Sequence, residues 1–203
     1  MVNKPPAVLA ATAQKLQAQH RKMGNQTLIY LLEILEKYPA MKEEYSYQGA
    51  EHDLLFEATY DHQGGNDCRC CDRSKVVDRG SREKTSPRIH YGSIGSANQV
   101  VNGAVTREKL GEDLGIICVE MEAAGLMDEF PCLVIRGICD YADSHKNKRW
   151  QPYAAATAAA YAKELLSIIP AQDVGATEGA LPAIQISRGA SSAQYSFFNH
   201  IGE

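Results

Sequence analysis

Two glutamates and an aspartate carry the chemistry that can be read from this chain. Glu120 and Glu122 stand at the end of a short apolar run, in the stretch IICVEMEAAGLMDEFPCLVIRGICDYAD that begins at Ile116. Asp140 stands eighteen positions after Glu122, at the end of a second apolar run. Carboxylates at the carboxyl ends of neighbouring parallel strands meet in one crevice. Acids placed there can hand a proton to a leaving group or stabilise a developing cation. Each also has a plain structural reading. Acids favour helix N-termini through the macrodipole, and aspartate favours turns and caps.

A second constellation is sulfur. Cys68 and Cys71 have C-x-x-C spacing in a polar loop that also holds Cys70 and His62. That spacing is half of a zinc site. His52 or His62 could contribute to the other half, which is not evident in the sequence. A loop of reduced, exposed thiols is the reading taken, so no metal is expected; zinc on Cys68, Cys71 and His62 is the alternative. Cys118, Cys132 and Cys139 lie in or beside the apolar runs and read as small core residues.

The elements that position these groups follow from pattern. Residues 116–119 are β-rich and too short for a helix, and residues 133–139 form a near-continuous apolar run expected of a buried strand. Arg136 interrupts that run and must be paired or reach the sheet's edge. Between the runs, residues 121–129 have helical composition, stopped by Pro131. Pro5 and Pro6 open a helix to about Lys22, which Gly24 breaks. Residues 26–37 form a second helix with Leu28, Leu31, Leu32 and Leu35 on one face. Residues 51–60 are ambiguous between strand and helix. Residues 88–93 have strand character, and Thr106 caps a short helix reaching Asp113. The alanine-rich residues 152–168 form the strongest helix, able to lie close to a sheet, with Tyr153 and Tyr161 as packing residues.

Composition narrows the classes. The chain has 203 residues, 44% hydrophobic and 23% charged, with a net charge of −4. It offers no basic field for nucleic acid and no apolar run of membrane-spanning length. No signal pattern opens it, so a cytoplasmic location is expected. Residues 61–87 are polar and rich in Gly, Arg and Asp, as a functional or mobile loop would be. Residues 171–203 lose periodicity and read as a flexible tail or linker.

The segments GSIGSANQVVNG, VEMEAAG and RGICDYAD together resemble the nucleoside phosphorylase and nucleosidase superfamily, which includes purine nucleoside phosphorylase, uridine phosphorylase and methylthioadenosine nucleosidase. The stretch FPCLVIRGICDYADSHKNKRWQPYAAATAAAYAKELL is most similar to the phosphorylase-like domains of fungal NACHT, ankyrin or TPR receptor-like proteins. The resemblance covers residues 1–170 and is most specific between Tyr91 and Leu166. It implies an α/β class and part of a three-layer α/β/α fold around a central mixed sheet, with residues 61–87 as an insertion.

Residue by residue, the resemblance implies that Asp140 protonates or hydrogen-bonds a purine at N7. Glu122 would bind the ribose hydroxyls, and Met121 would pack on the ribose. Val100 and Val101 would line the base. Glu120 is the first acid of the EME signature, with a less defined role, and Ser96 and Asn98 lie in the loop after the preceding strand. The implied activity is cleavage of the N-glycosidic bond of a nucleoside or nucleotide, without a cofactor and with inorganic phosphate as a possible co-substrate. A homo-oligomer is implied for the intact domain. The alternative is a non-catalytic nucleoside sensor or interaction module.

The chain departs from the family pattern in its first half. It opens where the family's second half begins, so the N-terminal strands and the groups that hold water or phosphate are expected to be missing. Cys139 stands where nucleosidases often have serine. The helix between Glu122 and Asp140 looks about one turn shorter than in bacterial nucleosidases.

Overall fold

A computed structural model describes residues 4–170 with the exception of 66, 81, 83 and 98; side chains 128 and 129 are also outside the description. The tail reading for residues 171–203 and the assignment of Asn98 lie outside the described residues.

The helices follow local chemistry closely. α1 (Ala7–Met23) starts after Pro6 and ends at Gly24, whose φ of 77° suits glycine. α2 (Thr27–Lys37) buries Thr27, Leu31 and Leu35, a row spaced by one helical turn. Leu32 was expected on the same face but is 56% exposed. It stands about 100° around the helix from Leu31, beyond the contact row. A short α3 (Lys42–Tyr45) follows. Further along, α4 (Ala104–Leu114) starts earlier than expected, with Gly103 at its N-cap. Thr106 therefore lies inside the first turn. Gly115, at φ 62°, closes α4 by donating its amide to Gly111.

α6 (Gln151–Ser167) organises the helical layer. Its Tyr161 and Leu165 pack with Leu16 of α1, and Ala156 packs with Leu31 and Leu35 of α2. The buried Glu164 satisfies the start of α2. It accepts from the Gln26 amide at 2.9 Å, from the Thr27 hydroxyl at 3.3 Å and from His20 Nε2 at 3.0 Å. These helices were expected to offer packing alone. A buried carboxylate with three donors is a further polar staple between them.

The strands form one βαβ unit. β1 (Ser93–Ser96) and β2 (Ile116–Glu120) are parallel, with α4 as the crossover. β1 starts later than the strand-like residues 88–93 suggest. Ladder partners decide its extent: Ser93 pairs with Ile116 and Ser96 with Glu120. The chain thus mixes helix with parallel strand, compatible with an α/β class. The expected three-layer arrangement and mixed central sheet do not follow from these two strands.

The apolar residues 133–139 do not form the expected strand. They run without regular secondary structure, and among the described residues no ladder joins them to β1 or β2. A strand requires partners for its backbone groups. Here the apolar side chains pack on helices instead, with Leu133 and Ile135 against the Leu16–Tyr161–Leu165 cluster. The approach is close at Gly137, where a Cβ would stand 2.0 Å from the carbonyl oxygen of Ala154 on α6. Among the described residues, no helix is long and apolar enough to cross a membrane.

Replacing Gly137 by alanine is expected to destabilise the fold by at least about 1–3 kcal/mol, because backbone and not a movable side chain meets the added methyl. Gly125 has open space around its Cβ position. Gly125→Ala, within the preceding helix α5 (Ala123–Glu129), should instead raise stability by about 0.5–1 kcal/mol. Urea denaturation of the two variants checks both signs.

Candidate functional site

The carboxyl ends of β1 and β2 deliver Ser96 and Glu120 side by side. Immediately beyond, the chain turns into α5 (Ala123–Glu129). The first amides of a helix lack internal partners. Glu120 Oε2 accepts from the amides of Glu122 and Ala123, each at 2.8 Å, and Ser96 Oγ accepts from the amide of Ala124 at 3.1 Å. Glu120 is thus a buried cap, 5% exposed. Burial by itself would raise its pKa. The Ser96 hydroxyl, the two amides and the charge of Arg136 outweigh that and hold the carboxyl below the usual glutamate range. Its other oxygen, Oε1, is buried and has no partner among the described residues.

Glu122 is placed very differently. It occupies the N-cap position of α5, is 70% exposed, and pairs with Arg136 Nη1 at 3.4 Å. That pair resolves the charge inside the apolar run 133–139. Met121 is also largely exposed.

Asp140 folds back on its own chain. Its Oδ1 accepts from the Ala142 amide at 2.8 Å, and the Cys139 thiol donates to Oδ2 at 3.5 Å. Burial, with the neighbouring Asp140 adding to it, pushes the Cys139 thiol up. The turn forces Ala142 to a φ of 51°, a left-handed conformation that is costly for a residue with a Cβ.

A cleft of about 270 Å³ gathers these groups. Asp140, Glu120, Met121, Val100 and Val101 all line it, together with Arg136. Glu122 and Ser96 are not part of its lining; Glu122 is the N-cap of α5 and Ser96 ends β1. The cysteines 118 and 139 are half-buried at its wall, not fully enclosed as core residues would be.

Several residues that hold the site went unread in the sequence. Arg107 of α4 donates to the Tyr141 carbonyl at 2.7 Å and pairs with buried Asp143 at 3.4 Å. The hydroxyl of Tyr141 bonds to Asp53 and Arg79, and burial, with Asp53 next, pushes its pKa up to about 12. Phe56 stacks on His145 with ring centres 4.1 Å apart. Residues 51–60, ambiguous in the sequence, thus serve as a brace, with Phe56 bridging to Val76. Only the charges and aromatics themselves could have signalled this, since the partners of Arg107, Tyr141 and His145 lie 34 to 89 positions away.

The loop 61–87 is likewise held down. The His62 amide donates to Ser144 Oγ at 3.0 Å, and that hydroxyl donates to Asp61 at 3.2 Å. The ligand atoms of His62, Cys68 and Cys71 lie within 4.8 Å of one another. Cys71 is buried, in contrast to the exposed thiols expected. Cys70 alone among these cysteines is exposed. Burial first, then Cys71 beside it, pushes the Cys68 thiol up to about 11.

Comparison with known proteins bears on this arrangement. The chain is 46% identical over 173 residues to a nucleotide-binding leucine-rich repeat (NLR)-like protein of Hyaloscypha variabilis, a match covering 84% of this chain. It is 33% identical over 89 residues, 41% of its length, to the 5'-methylthioadenosine/S-adenosylhomocysteine nucleosidases of Mycobacterium bovis and Mycobacterium tuberculosis. The matches span 17% of the NLR-like protein and 35% of each nucleosidase. No family model matches the chain, and no solved structure matches it. The likenesses support a nucleoside phosphorylase/nucleosidase-like relationship.

Glu120→Ala should leave the Glu122 and Ala123 amides unpaired and cost about 1–3 kcal/mol at neutral pH. A carboxyl held below its unfolded value stabilises above the usual glutamate range and loses that contribution as pH falls through its folded value. The difference in denaturant midpoint between wild type and variant should therefore shrink on acidification. A pH series of unfolding curves measures it.

Proposed function

We propose that this chain forms part of a nucleosidase- or phosphorylase-type domain whose cleft takes a purine nucleoside or nucleotide and breaks its N-glycosidic bond. The observation that supports this best is the common cleft of Asp140, Glu120, Met121, Val100 and Val101. The partial likeness to nucleosidases supports the same reading.

In this reading the bond between the sugar and the base nitrogen breaks, and its electron pair goes to the base. Asp140 delivers a proton to N7, making the base a better leaving group. The sugar becomes oxocarbenium-like, and water or phosphate adds to its anomeric carbon. Glu122, paired with Arg136, grips the ribose hydroxyls, while Met121 packs on the ring. Val100 and Val101 contact the base. Glu120 acts through the backbone it caps. Ala142 holds the turn that aims Asp140.

A sensor that binds the nucleoside without cleaving it is the second reading. It is favoured by the likeness to an NLR-like protein and by the placement of Glu122 outside the cleft wall.

The test is base release from methylthioadenosine, adenosine and ATP by the full chain, with and without phosphate, followed by chromatography. Adenine release is expected from at least one of them, and dependence on phosphate identifies the nucleophile. Asp140→Asn should lower kcat/KM by about 10²–10⁴. No release under any condition overturns the enzymatic reading. Calorimetric binding without turnover, lost in Asp140→Asn, supports the sensor.

A further inference from the structure

The sulfur-bearing loop contains a cluster that nucleoside chemistry does not use. A short turn at Cys68–Cys70 brings Cys68 and Cys71 onto one side, with the Cys71 amide bonded to the Cys68 carbonyl at 3.3 Å. His62 reaches the same point from the start of the loop, and the three ligand atoms lie within 4.8 Å of one another. Tetrahedral zinc, with bonds of about 2.3 Å to sulfur and 2.0–2.1 Å to nitrogen, needs ligand separations of roughly 3.5–3.8 Å. Small side-chain rotations therefore close the set.

A candidate fourth ligand lies on a distant part of the chain, beside the group of three but outside its 4.8 Å limit. His145 packs edge-on against His62, with ring centres 5.6 Å apart. It is 7% exposed, and its Nε2 is buried with no partner among the described residues. A buried nitrogen left without a partner is costly and calls for an explanation. Its other nitrogen, Nδ1, faces the carboxylate of Asp143 at 3.8 Å. A carboxylate behind one imidazole nitrogen, with the other nitrogen free, is how metal-bound histidines are oriented. His62 is held in a similar way, with Nε2 3.1 Å from the Asp67 carbonyl oxygen. A proton there leaves Nδ1 with the lone pair.

We propose that His62, Cys68, Cys71 and His145 hold one zinc ion in a closed tetrahedral site. Two thiolates with two imidazoles suit zinc, and a closed set without an open position is structural. The ion joins the loop of residues 61–75 to the segment just after Asp140. Asp143 connects His145 to Arg107, and Arg107 holds the Tyr141 carbonyl. Zinc would thus brace the turn that aims Asp140, without touching a substrate.

The test is metal content of the full chain, purified without chelator, by plasma mass spectrometry. About one zinc per chain is expected. After removal of zinc, cobalt should restore binding with the thiolate charge-transfer and intense d–d bands of a tetrahedral sulfur and nitrogen site. Cys68→Ser, Cys71→Ser and His145→Asn should each weaken binding by more than the roughly 10- to 100-fold typical of a lost outer-shell partner. Cys70→Ser should leave it unchanged. Absence of zinc together with no cobalt spectrum, or a Cys68–Cys71 disulfide in the freshly purified protein, overturns the proposal. His145→Asn with unaltered affinity and cobalt bands overturns the four-ligand site. The wild-type cobalt spectrum decides the matter even if a variant does not fold.

Discussion

The unpaired amides at the start of α5 are the constraint around which the site is arranged. A parallel strand ending beside another strand cannot turn directly into a helix without leaving those donors facing the interior. Glu120 and Ser96, adjacent through the ladder, satisfy three of them. Doing so fixes the exit of β2, with Met121 in the cleft lining and Glu122 at the N-cap of α5. A charge-assisted cap is strong because the carboxylate exchanges water for donors that would otherwise be stranded. The same bonds lower its pKa against the opposing effect of burial.

The opposite wall has no strand to hold it. Residues 133–139 lie against helices, and the turn after Asp140 carries a strained alanine at φ 51°. Strain of this kind persists where surrounding contacts over-determine the backbone. Arg107 reaches from α4, Asp53 and Arg79 clasp Tyr141, and Phe56 stacks on His145. These braces come from sequence-distant segments, including Arg79 of the loop 61–87. The loop is therefore part of the support of Asp140, whatever else its thiols do.

The acids of the EME segment divide their work by burial. Glu120 is enclosed and committed to backbone donors, so its influence on a ligand passes through the positions of Met121 and Glu122. Glu122 is open to solvent and held by one guanidinium, which leaves an oxygen for a hydroxyl-bearing ligand. Asp140 lines the cleft with one oxygen engaged by the Ala142 amide and the other by the Cys139 thiol. This division accommodates a proton donor at one end of a ligand and an anionic grip at the other. It accommodates a binding-only site equally well on geometry alone, and turnover separates the two.

Local pattern determined much of this molecule. The starts and stops of α1, α2 and α6 follow from Pro5, Pro6, Gly24, Pro39, Pro152 and Pro170, because proline restricts the backbone and glycine admits the positive φ at which α1 ends, whatever surrounds them. The short strand before Glu120 and the pairing of Arg136 were legible for similar reasons: β-rich composition, and the cost of an unpaired charge. Tertiary structure decided the rest. Residues 133–139 have the composition of a buried strand, yet burial against helices satisfies apolar side chains just as well, and only a neighbouring ladder makes a strand. The extent of β1 was set by β2. The roles of Glu164, Arg107, Tyr141 and His145 depend on partners far along the chain, and no local rule encodes such partners. Sequence alone thus named the acids and the thiols, while packing determined which were enclosed, which stayed open, and what each could touch.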